Sequence, residues 1–161
     1  MRQFKDAREL FQEAREAVHD IERIERDLER MEAREGIRPH RLTATRGPAN
    51  RDTMAATDAR IDAEAAYHAR LERDWALVDL ANAVVFGRWY DGSGGVDALL
   101  DGRHADALYW CYLGGMNAVG TGVLLGCSRA TVWRLIREAF DLLDTYGLER
   151  VIDGTGIAVA D

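Results

Sequence analysis

The sequence predicts an all-α protein, a long antiparallel, coiled-coil-like helical hairpin followed by a small helix-turn-helix domain. Three observations lead there. Apolar residues recur at spacings of three and four over two long stretches, a segment rich in Gly, Pro and Arg separates those stretches, and no segment alternates apolar and polar residues as a half-buried strand does. The expected organisation is a hairpin over residues 1–87, a Gly-rich hinge over 88–102, and a helix-turn-helix domain over 103–161 that ends in a short tail.

In the first stretch Phe4, Ala7, Phe11, Ala14, Val18, Ile21, Ile24, Leu28 and Met31 form a seam of the coiled-coil kind. The step from Ile21 to Ile24 repeats a spacing of three, a stammer-like shift of phase. The other faces carry opposite charges at helical contact distance, such as Asp20 with Arg23, and read as a solvated flank. Gly36 and then Pro39 end this helix. Residues 36–51 follow as an exposed loop, in which Arg38, Arg41 and Arg46 are candidate phosphate contacts. A solvated linker is the simpler reading of that loop, since cationic loops are sequence-blind.

Asp52 or Thr53 can cap the second helix, expected to run to about Phe86. Its seam is read as Ile61, Ala65, His68, Leu71, Trp75, Val78, Ala81 and Val85. Two helices of similar length joined by a loop bury their seams most simply against each other. Ile21, Leu28, Leu71 and Trp75 exceed what one two-helix contact covers, so a homo-oligomer is expected.

Gly87 and the run Asp91-Gly92-Ser93-Gly94-Gly95 break the second helix ahead of a short apolar piece at 96–100. Helices are then expected over 105–113, 117–125 and 129–146, with a turn at Gly114-Gly115.

Several function classes fall away. No run approaches the roughly 20 apolar residues of a membrane span. The start, Met1-Arg2-Gln3-Phe4-Lys5-Asp6, has no apolar h-region, so a cytoplasmic location is expected rather than secretion. Cys111 and Cys127 lack a second ligand at zinc spacing and read as buried free thiols. His19, His40, His68 and His104 are scattered without a paired carboxylate or cysteine at catalytic spacing. The Gly92–Gly95 run is followed by no Lys-Ser/Thr and reads as a hinge, not a phosphate loop. Trp75 and Trp110, at helical spacing, read as core. No enzyme, cofactor, metal or small-molecule substrate is expected.

The informative stretch is 118–137. A helix-turn-helix needs small residues at the close helix contact, a glycine at the turn and apolar residues in the helix that follows, and Gly122, Gly126, Val132 and Leu135 occupy those places. Gly126 suits a left-handed turn, and Ser128 can accept an amide hydrogen bond to start the next helix. Val132, Leu135, Ile136, Phe140 and Leu143 form an inward stripe, while Arg129, Thr131, Trp133, Arg134 and Arg137 face outward. These, with Ser128, are the candidate DNA-binding residues. An arginine early in the helix can fork onto guanine, Thr131 can reach a base edge or phosphate, and Arg137 is better placed for phosphate. The net charge of −7 opposes a uniformly basic DNA-binding surface, and only a small basic island occurs in the C-terminal third.

The stretch Leu113-Gly114-Gly115 through Gly126-Cys127-Ser128-Arg129-Ala130-Thr131-Val132-Trp133-Arg134 resembles sigma-70 region 4. The whole layout is similar to phage-encoded transcriptional regulators of the RinA/ArpU type. The specific motif likeness covers roughly the last 40 residues; the hairpin is alike in architecture. The resemblance differs at Thr121-Gly122, where an aliphatic residue followed by alanine is usual. It implies sequence-specific binding of double-stranded DNA and control of phage or prophage late-gene transcription, with RNA polymerase as a further partner. Two other classes fit the layout: a small terminase-like packaging adaptor, and a coiled-coil protein-interaction module with a degenerate helix-turn-helix.

Overall fold

The computed structural model describes residues 4–36 and 49–157, and every regular element among them is helical. Helix α1 spans Ala7–Gly36 and α2 spans Ala49–Phe86. The two pack antiparallel as the expected hairpin. The N-terminus of α1 is capped from near and far. Asp6 accepts from the Glu9 amide at 2.8 Å, and Asp144, at the other end of the chain, accepts from the Ala7 amide at 3.0 Å. Helix α2 starts ahead of the expected Asp52 or Thr53, because Ala49, Arg51, Met54, Ala55 and Ala56 are good helix formers. The loop arginines Arg38, Arg41 and Arg46 lie outside the described residues.

Five shorter helical elements close the base of the hairpin: α3 (Gly95–Leu99), α4 (Gly102–Leu108), α5 (Ala118–Leu125), α6 (Arg129–Tyr146) and α7 (Leu148–Asp153). Helix α4 continues into a wider π turn over Tyr109–Leu113, closed by the Gly114 amide donating to the Tyr109 carbonyl at 2.8 Å. One core joins all of these to the hairpin. Leu10, Phe11 and Ala14 of α1 meet Val84 and Val85 of α2, Leu108 and Tyr112, and Val132, Ile136 and Phe140 of α6. Phe11 sits between Tyr112 and Phe140, with ring centroids 5.6 and 5.8 Å away.

Three features depart from the sequence expectation. The Gly-rich segment is packed rather than a free hinge: Gly94, Gly95 and Val96 are buried. A Cβ on Gly94 would strike the Ile152 carbonyl, and one on Gly95 would strike the Gly87 amide, so backbones approach there as only glycine allows. The expected tail contains α7, whose Val151 and Ile152 seal the core against α2 and α3. Finally, Trp75, expected in the core, is 47% exposed. The packed base sets the rotation of α2. Counting back from Val78 in alternating steps of four and three leads to Asp74, Leu71 and Tyr67, which are half-buried, while the row Ile61, Ala65, His68 and Trp75 turns outward. Trp110 is half-buried.

Along the arm a smaller apolar cluster of Ala17, Ile21 and Val78 continues the hairpin contact. Polar groups take over next to it. Arg70 bridges to Asp20 across the helices, and Asp74 faces Asp20 in a shallow groove also lined by Glu13 and Glu16. Burial first, and then the neighbouring Asp20 carboxylate, push the Asp74 carboxyl above its ordinary value. No described helix is long and apolar enough to cross a membrane.

Candidate nucleic-acid interface

Helix α5 begins at Asn117, whose side chain accepts from the Gly120 amide at 2.8 Å. It ends at Gly126, which adopts the left-handed conformation at φ 64°. The Cys127 amide then donates back to the Gly122 carbonyl at 2.8 Å. A Cβ on Gly122 would press to 2.7 Å from the Cys127 carbonyl oxygen, so the turn folds onto the helix only over glycine at this position. This close contact accounts for glycine where the resemblance leads one to expect alanine. Thr121 is fully buried, and its hydroxyl is satisfied by the Cys111 Sγ at 3.3 Å. Burial pushes the Cys111 thiol up, which suits an inert core thiol. Cys111 and the half-buried Cys127 are both free.

Ser128 starts α6 as expected, accepting from the Thr131 amide at 3.1 Å. Its hydroxyl also pairs with that of Thr131 at 2.9 Å, and Thr131 is half-buried. Both hydroxyls are therefore committed first to the helix start. Val132, Leu135, Ile136, Phe140 and Leu143 point into the core, as the inward stripe requires. Arg129, Trp133, Arg134 and Arg137 are exposed.

The four exposed side chains form two rows. Arg129, Trp133 and Arg137 follow one another at intervals of four and so lie along a single ridge, about 12 Å from end to end. Arg134 lies in the next row, where Glu138 stands 3.9 Å from its guanidinium. No carboxylate pairs with Arg129 or Arg137 among the described residues. In sequence, the only charged side chains between residues 107 and 137 are Arg129, Arg134 and Arg137, and Glu138 follows directly. An acidic chain thus carries three arginines on the first half of α6.

Two features escaped the sequence reading. His104 is not without carboxylate partners. Its Nδ1 lies 2.7 Å from Asp101 and its Nε2 lies 2.8 Å from Glu138, so it ties the start of α4 to α6. Both ring nitrogens are thereby engaged by carboxylates. Glu138 is held below its ordinary value, foremost by the His104 hydrogen bond. For Asp101 partial burial works the other way, but the His104 ring and amide together still hold it low. Asp101 stands three residues before His104, so half of this clamp was visible as spacing. Secondly, Val119, Val123 and Leu124 of α5 are exposed, Val123 to 80%. The buried side of α5 carries Ala118, Thr121 and Gly122 with Leu125 half-buried at its end, which leaves Val119, Val123 and Leu124 outside.

Among the described residues no group of three His, Cys, Asp or Glu side chains could hold a metal ion. Comparison of the chain with family models, with curated proteins and with solved structures finds no match.

Proposed function

We propose that this protein is a sequence-specific regulator that binds double-stranded DNA, with α5 and α6 acting as a helix-turn-helix and α6 entering the major groove. The observation that carries this reading is the ridge Arg129, Trp133, Arg137 on the first half of α6, started by the Ser128 cap, with Glu138 adjoining Arg137 but no carboxylate in ion-pair contact with either arginine among the described residues. Arg129 at the helix start reads a base edge, and Arg137 two turns on holds phosphate. Arg134 leans toward Glu138 and contributes less. Transcriptional control of phage or prophage late genes, with RNA polymerase as a second partner, is the role this reading serves.

A protein-binding role for the same helix pair is favoured by one observation, the uncharged and exposed Val119, Val123 and Leu124 on α5. A gel shift on a fragment recovered by genomic pull-down, at stated salt, separates the two. Arg129→Ala should weaken specific binding by about 1–3 kcal/mol with circular dichroism unchanged, and Arg137→Ala should lower the salt slope by about one. Val132→Asp should instead unfold the domain, since Val132 is fully buried. If both arginine variants bind like the parent while Val123→Glu abolishes capture of a protein partner, the protein-binding reading replaces this one.

A further inference from the structure

We infer, on the DNA-binding reading of α6, that Trp133 is a specificity-determining residue whose indole covers the C5-methyl group of thymine, so that the selected DNA carries thymine close to the base that Arg129 reads. Trp133 lies between Arg129 and Arg137 on the ridge, about one helical turn from each, and is 45% exposed. The fold makes little use of its ring. The inner side of α6 is packed by Val132, Leu135 and Ile136, and among the described residues the Trp133 side chain makes no hydrogen bond and no ring contact. Trp110, by contrast, is half-buried, with its ring edge-on to Tyr109 at 5.1 Å between centroids.

Hydrogen-bonding capacity decides what such a side chain can read. An indole has one donor, the Nε1–H, and no acceptor, so it cannot form the paired contacts by which Arg recognises guanine or Asn recognises adenine. What it presents is a wide apolar face. The major groove offers that face one apolar group, the thymine methyl, on a floor otherwise made of donors and acceptors. With Arg129 on a base edge and Arg137 on phosphate, the apolar contact falls to the uncharged ring between them.

The test removes the methyl alone. The fragment recovered by genomic pull-down is amplified with deoxyuridine in place of thymidine, which keeps the O4 acceptor that thymine shows in the groove. In gel shifts the parent should bind this duplex about fourfold more weakly for each methyl covered. Trp133→Ala should bind both duplexes alike with unchanged helical circular dichroism, and Trp133→Phe, which keeps an apolar ring, should retain part of the preference. If the parent binds the two duplexes equally while Arg129→Ala still weakens binding, the ring lies against sugar rather than base, and the assignment falls with the DNA reading intact. A Trp133→Ala variant that discriminates as strongly as the parent would overturn it as well, since another group then reads the methyl. A parent that binds no recovered duplex would overturn the DNA reading and this assignment together.

Discussion

The two ends of the hairpin are built from the same two helices but hold together by different means. At the base, α1 and α2 are parts of a core that also takes in α3 to α7, and Leu10, Phe11, Val84 and Val85 are fully buried. Beyond Ile24 and Val78 the same helices bury no described side chain, and contact passes to half-buried residues and to ion pairs such as Arg70 with Asp20. Burial contributes a few kcal/mol for a large apolar side chain, whereas an exposed ion pair contributes under about 1 kcal/mol. A long amphipathic helix is thus stable where a third layer covers it, and periodicity along the helix does not tell which end that is.

The largest expected effect lies at the base. Phe11→Ala should cost about 3–5 kcal/mol in denaturant unfolding, while Leu28→Ala, half-buried on the arm, should cost about 1 kcal/mol. Equal losses would mean that the arm carries as much of the fold as the base. Next comes the glycine contact: Gly94→Ala should cost about 1–3 kcal/mol, because the new methyl meets the Ile152 carbonyl on the core-sealing helix. A neutral outcome would restore the free-hinge reading of that segment. Ser128→Ala should remove about 1 kcal/mol at the start of α6, against less than about 0.5 kcal/mol for Arg23→Ala in the exposed Arg23–Asp20 pair of the arm.

The smallest effect differs in sign between the two regions. Asp101 and Glu138 sit below their ordinary values of 3.8 and 4.5, so the His104 clamp stabilises fully above those values and is lost as pH falls through the lower folded ones. Asp74 sits above 3.8, so its ionisation is a cost that sets in as pH rises from 3.8 through its folded value, and acid relieves it. His104→Ala should flatten the acid limb of unfolding curves that report on the base. Asp74→Asn should stabilise the arm at neutral pH and remove its opposite slope. The same pH response in both variants would show that these groups do not set it.

The all-helical class, the hairpin and the Gly126–Ser128 junction were legible because each has a local cause: a spacing of three and four, a left-handed glycine, a hydroxyl at a helix start. The inward stripe of α6 followed from the same period. The rotation of the outer part of α2 did not, because Trp75 and Asp74 are neighbours in sequence and only the packing of Val78, Ala81 and Val85 selects which of them turns inward. Gly94 and α7 were illegible for a related reason, since their contacts join segments some 60 residues apart. On the candidate interface, the exposure of Arg129, Trp133, Arg134 and Arg137 could be read, but not the carboxylate that draws Arg134 aside, because Glu138 is placed by His104.

The hydrogen bond from the Ala7 amide to Asp144 and the closure of the core by Val151 and Ile152 bear on how the chain is made. Synthesis runs from the N-terminus, so α1 leaves the ribosome before α6 and α7 and has no finished partner surface until they follow. Until then Leu10, Phe11 and Ala14 present an apolar stripe to whatever is near, and only α2 is available to shield it. A ribosome stalled after α2 would hold two helices whose base lacks the part of the core that the later helices supply.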